Sequence, residues 1–292
     1  MTNQELKDTL ALKNNKIKER ILREATYTDK QNYKLYYEFA KFLLDLNRKK
    51  DNKEIMHLLN EIIHNADNKK LIHKAKIKKV ELLTSTNEYL YAEHILYNML
   101  EENENDYKAI IALGKLKTKT YEFEIAKKCF KYALNCDDRD DRTDAYTNLI
   151  DLYIENEDYI QAFNYLDALI NDQKCKKYDN YNNYTYARIY RGIGDYDKAI
   201  EYMDKVTGLH ERYGLLVVEQ LYLYNAVGDD EKVSDILEKM GAHQAPEKRI
   251  QYEEALMNIA LKNNNNTQAE MHKNKMLTLK KSYLCNSNNK MM

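Results

Sequence analysis

Arg188 and Arg191 lie three residues apart, so on a helix they share one face. Two guanidinia placed this way can meet a single carboxylate or phosphate. Other reactive pairs carry less. His57 and His64 are seven apart with no third ligand near them in the sequence, which reads as a surface or core pair rather than a metal site. Cys129 and Cys136 share that spacing and read as packed thiols. Asp137-Asp138 and Asp140-Asp141 lack the register and the Glu of a calcium loop; they read as a solvated turn favouring the start of the next helix. The chain has no Gly-rich phosphate loop, no His-Glu-x-x-His and no Gly-x-Ser-x-Gly. With no nucleophile–base or metal set, no enzyme and no cofactor is expected.

The elements that would hold such residues follow from composition. In 292 residues there are seven Gly and one Pro, so turns must be short and an all-β fold is disfavoured. Hydrophobic residues at 43% and charged residues at 32% suit a chain with a core. A net charge of -1 argues against direct nucleic-acid binding. Locally the charge is uneven: residues 41–80 carry eleven Lys/Arg against five Asp/Glu, and residues 81–160 carry nine against eighteen. A solvated pattern or a docking surface for a charged partner would both produce this. The start is not that of a signal peptide, no window approaches a membrane span, and the four Cys form no Cys-x-x-Cys pair. These features predict a cytoplasmic protein without membrane contact.

The opening pair gains its setting from a repeat. Similar surroundings recur at Ile55, Ala92, Ala126, Ala162, Ala199, Val233 and Ala269, at steps of 37, 34, 36, 37, 34 and 36 residues. A period of this length marks a helical array. Upstream of each anchor, apolar residues follow helical spacing, as in Tyr146, Leu149, Ile150 and Tyr153. A small anchor residue lets paired helices approach closely. Short polar stretches such as "GIGDY", "NEDY" and "VGDD" join them.

On the Leu113-Gly114 pair, the run Ala187 to Tyr190 with Gly194, Tyr196 and Ala199, and the recurring alanines, the chain resembles the tetratricopeptide repeat (TPR) family. The resemblance covers residues 33–283. It implies an all-α, right-handed superhelical solenoid of about seven degenerate helix pairs. The proline that often ends a repeat is absent, and Lys76 and Lys79 stand where apolar residues are expected. Residues 1–30 are expected to form a capping helix, amphipathic through Leu6, Leu10, Ile17 and Ile21 over residues 3–25. The repeat array then takes 31–283 and a flexible tail 284–292.

The resemblance also implies that the first helix of each repeat lines a concave binding face. Projecting the register places Asn148, Asp151, Tyr184, Arg188, Arg191, Tyr222, Asn225 and Asn258 there as the peptide- or protein-binding set, with Glu81, Lys115 and Glu155 beside them. The carboxylate-clamp set of chaperone-binding relatives is missing: its positions read Ala40, Leu44, Ile77, Glu81, Ile111 and Lys115. The expected function is a non-enzymatic scaffold that engages a protein or short peptide. A second expectation rests on similarity to the ligand domains of bacterial peptide-pheromone receptors: a peptide-responsive regulator without a DNA-binding head, since about 30 residues precede the first repeat. Tyrosine is in excess, 26 against five Phe and no Trp. Helix interfaces with hydroxyls reaching solvent, an AT-rich genome, or a Tyr-lined groove would each account for it.

Overall fold

The computed structural model describes residues 1–175, 178–206, 214–229, 231–233, 235–236, 246–262 and 264–288. Two compact units divide the chain, Met1–Leu152 and Tyr153–Met292. All regular structure among the described residues is helical.

The first unit opens with α1 (Asn3–Ala11) and α2 (Asn15–Thr28). Next come α3 (Tyr33–Leu46), α4 (Asn52–Asn65), α5 (Lys69–Ser85), α6 (Tyr89–Glu102), α7 (Tyr107–Lys119) and α8 (Phe123–Ala133). Helix α9 (Arg139–Glu155) contains the boundary. The second unit continues with α10 (Tyr159–Asn171), α11 (Asp179–Ile193), α12 (Tyr196–Asp204) and α13 (Gly214–Val227). Residues 231–233 and 235–236 are helical, and α14 (Pro246–Lys262) and α15 (Asn266–Asn288) follow.

The N-terminal cap is two helices, where the amphipathic pattern predicts one across residues 3–25. The break comes at Asn14, whose side chain accepts from the Lys16 and Ile17 amides at 3.0 and 3.2 Å and starts a new helix. The stripe shifts with it. Ile17 is exposed, while Leu6 and Leu22 are buried against Leu35, Phe39 and Leu43. At the other end, α15 runs through Asn288, beyond the boundary expected at 283; residues 289–292 lie outside the described residues.

All seven anchors fall on the second helix of a pair, the sixth of these being the helical stretch at 231–236. Ile55, Ala92, Ala126, Ala162, Ala199 and Ala269 are buried, and Val233 is half-buried. Close approach has a direct signature at Gly114 on α7. A Cβ there would stand 2.5 Å from Cε1 of Phe130, a ring 1% exposed on α8. The Leu-Gly of the motif is thus a packing requirement. In the second repeat, Lys76 and Lys79 occupy helix interfaces by reaching polar partners: Lys76 pairs with Glu102 at 3.3 Å and Lys79 donates to Asn60 at 2.8 Å.

One backbone device closes six of the seven pairs. Asn87, Tyr121, Glu157, Gly194, Gly228 and Asn264 all adopt the left-handed conformation, with φ between 55° and 84°. Each lies five residues before its anchor. The amide of the next residue then donates back to the carbonyl five residues earlier: Glu88 to Leu83, Glu122 to Lys117, Asp158 to Tyr153, Asp195 to Tyr190, Asp229 to Tyr224 and Asn265 to Ala260, all at 2.8–2.9 Å. This is the Schellman closure. Four of those next residues also cap the second helix, as Asp158, Asp195, Asp229 and Asn265 accept from the amide three residues on. The first pair differs: Asn47 is left-handed but lies eight residues before Ile55, and a 3-10 turn at Lys49–Asp51 takes up the difference.

Candidate functional site

The second unit brings most of the expected residues together. Helices α11, α13 and α14 are the first helices of three successive repeats. On α11, the Arg188 guanidinium lies 5.5 Å over the Tyr184 ring. One turn on, Arg191 Nε donates to Oε1 of Glu219 on α13, and its guanidinium lies 5.8 Å over the Tyr222 ring. Asn258 on α14 donates from Nδ2 to the Tyr222 hydroxyl at 3.1 Å. Arg191, Glu219, Tyr222 and Asn258 therefore form one chain of polar contacts across three helices. Tyr184, Arg188, Arg191, Tyr222, Asn225 and Asn258 are each half-buried.

One expectation changes in this setting, and one residue joins the site. The paired guanidinia are not a free two-pronged clamp, because Arg191 is already bound to Glu219. Sequence reasoning missed Glu219, which is 8% exposed. A signal was present: it is the one charged residue in "GLLVVEQLYLYNAV", and a lone acid in an apolar helix needs a buried cation.

Asn148 and Asp151 belong to the first unit, where α9 carries them on one face. Asn148 spends its amide locally, donating from Nδ2 to the carbonyl and the carboxylate of Asp144 at 2.6 and 2.8 Å. Asp151 is half-buried and partnered. Lys115 on α7 reaches Asp144 at 2.7 Å, and Glu81 on α5 pairs with Lys78 at 2.6 Å. This wall is a row of ion pairs, while that of the second unit is aromatic and amide-rich.

The tyrosines of the second unit show where the excess goes. Tyr202 on α12 lies 4.7 Å from Tyr186 and stacks on Tyr190 at 5.5 Å; Phe163 of α10 meets Tyr186 edge-on at 5.6 Å. The Tyr186 hydroxyl donates to Asp167 at 2.7 Å. Burial, with that carboxylate beside it, pushes the phenol well above its usual range. Lys198 sits 5.2 Å over Tyr190 and Lys232 sits 4.5 Å over Tyr224, eight residues apart in both repeats. These rings are helix-interface residues with polar tips, as the interface reading predicts.

A buried cation holds the first unit's α7/α8 turn. Lys117 has a side chain 6% exposed and reaches Glu93 at 2.7 Å and Glu122 at 2.9 Å. Burial opposes its charge, yet the two carboxylates prevail and raise it to about 12. Among the described residues, no group of three His, Cys, Asp or Glu is placed to hold a metal ion, and no helix is long and apolar enough to cross a membrane.

No protein-family model matches the chain, and no curated protein matches it. Solved structures do. The chain is similar to a tetratricopeptide repeat protein from Parabacteroides merdae at 16% identity and TM-score 0.58, covering 85% of this chain and 93% of that one. It is also similar to Pseudomonas aeruginosa pilF at 12% identity and TM-score 0.54, covering 76% and 95%. At such identities the likeness concerns fold alone. Together with the seven anchors on second helices, it shows that the chain has the all-α tetratricopeptide-repeat fold.

Proposed function

We propose that the chain is a non-enzymatic interaction scaffold whose first-helix wall in the second unit receives an extended peptide or a segment of a partner protein. The observation that carries this reading is the set of contacts in which Arg191 holds both Glu219 and Tyr222, and Tyr222 in turn holds Asn258. Those contacts freeze the wall before a partner arrives, which lowers the entropic cost of binding. Contact groups stand beside them. Tyr184 and Arg188 offer a stacked aromatic–guanidinium surface, and the half-buried Asn225 offers a donor and an acceptor to a peptide main chain.

The test uses Arg188→Glu and Asn225→Ala, singly and together, and leaves Arg191 in place because its loss would strand Glu219. A partner or peptide recovered with the intact chain should bind each single variant about tenfold more weakly, as expected for losing one charge-assisted or amide contact. A cooperative thermal transition and parent-like helicity should show that each variant still folds. Full binding by the folded double variant would rule out this wall.

A further inference from the structure

The first unit contains a cleft of about 410 Å³ between α2 and the turn that joins α3 to α4. Helix α2 supplies Lys16, Glu19, Arg20, Arg23 and Glu24, spaced along one face, and the turn supplies Arg48 and Lys50. Every lining residue is charged, with cations in the majority. No aromatic or aliphatic side chain lines the cleft, so nothing in it stacks a base or covers an acyl chain.

The half-buried members, Glu19, Arg23 and Arg48, are held in place. Arg23 donates from Nε and Nη2 to the two oxygens of Glu54 at 3.1 and 2.6 Å, and from Nη1 to Glu19 at 3.0 Å. Arg48 donates from Nε to Asp51 at 2.5 Å. Its Nη2 is shut off from solvent and, although 2.9 Å from Glu19, is not aligned for a hydrogen bond. Burial opposes the charge of Glu19, yet the guanidinia of Arg48 and Arg23 hold its carboxyl below the usual range. Glu54 and Asp51 brace the two arginines but do not line the cleft. The exposed members are uncompensated. Lys16, Arg20 and Lys50 have no ion-pair partner among the described residues. Lys16 and Arg20 are like charges at i, i+4, an arrangement that works against the helix unless an anion offsets it. Glu24, also exposed and without an ion-pair partner among the described residues, is the carboxylate that opposes an incoming anion. Guanidinium forks and an ammonium around one cleft suit phosphate oxygens.

We propose that this cleft binds a small, multiply charged phosphate anion free in solution, held between Lys16 and Arg20 of α2 and Lys50 of the turn. The site is independent of the aromatic wall in the second unit, so failure of one leaves the other standing. The test is calorimetric titration of the intact chain with inorganic triphosphate at constant ionic strength, with sulfate as the comparison anion. Triphosphate should bind about tenfold or more tightly than sulfate, because it carries more charge to the same cations. Lys16→Gln, Arg20→Gln and Lys50→Gln should each weaken binding about threefold to fivefold, as for loss of an exposed charge contact. Glu24→Gln should strengthen it by a similar factor. Lys53→Gln removes an exposed cation of α4 outside the cleft and should leave binding unchanged. No heat at millimolar triphosphate, sulfate binding equally well, or a loss in Lys53→Gln matching the other three would overturn the assignment. Co-sedimentation with phosphatidylcholine vesicles containing phosphatidylinositol bisphosphate, without binding of triphosphate, would also overturn it, in favour of a lipid headgroup. All the substituted residues are exposed, and circular dichroism of each variant separates a binding loss from a folding loss.

Discussion

Gly194 isolates one physical effect. It closes α11 at φ 84°, and a Cβ added to it would meet nothing within 4 Å. Any cost of Gly194→Ala is therefore conformational. The left-handed region costs an L-residue about 1–2 kcal/mol. Ala recovers about 0.4–1 kcal/mol by restricting the unfolded chain. The net expectation is a loss of about 1 kcal/mol. Gly194→Asn should lose only a few tenths, because Asn enters this region readily. The reciprocal change, Glu157→Gly, removes a side chain from the same conformation at φ 58° and should gain about 1 kcal/mol. Urea unfolding with unchanged m-values would measure the differences, and a shift of about 2–4 °C per kcal/mol would appear in thermal melts. An Ala variant as stable as the parent, or an Asn variant as costly as Ala, would refute the argument that φ alone governs this position.

The remaining predictions concern packing and charge. Gly114→Ala should cost about 1–3 kcal/mol through overpacking on Phe130; combined with Phe130→Leu, the two losses should sum to less than additive in an unfolding cycle. Lys117→Met should cost about 2–3 kcal/mol, less than a fully buried pair because Glu122 is 41% exposed; thermal melts would measure the loss. Burial pushes the Asp106 carboxyl up, but its hydrogen bonds to His73 and the Ala109 amide outweigh this and hold it below 3.8. The stability it contributes is present above its unfolded value and is lost as pH falls through the folded one. Asp106→Asn should thus lessen the fall in melting temperature as pH drops below the unfolded aspartate value. Asp141 is shifted the opposite way, so its contribution falls as pH rises above the unfolded value, and Asp141→Asn should be neutral or stabilising at pH 7.

The array was legible because burying a face at fixed spacing leaves a periodic trace. The anchors from Ile55 to Ala269 needed only small or apolar residues at regular steps. Other features left no such trace. Tyr121 and Glu157 take up the left-handed turn although neither residue type signals it; closure there is made by main-chain hydrogen bonds. The break in the N-terminal cap lies at Asn14, inside a stretch whose apolar spacing continues as though unbroken. At the wall of the second unit, the register placed Arg191, Tyr222 and Asn258 together but not their connections. The partner of Arg191 comes from another helix, and only the helix stacking brings Glu219 within reach. Asn148 shows the reverse: it stands on a first helix, as the period implies, yet binds its own helix.

The turn at Lys49–Asp51 gives the array an engineering handle. Three extra residues sit between the left-handed Asn47 and the second helix of the first pair, while Ile55 remains 1% exposed in the core. Spacing along the chain and seating in the stack are thereby uncoupled at this point. A foreign loop, an affinity epitope or a fluorescent-protein insertion enters here between the exposed Lys49 and Lys50, leaving the buried Asp51 and its pair with Arg48 in place.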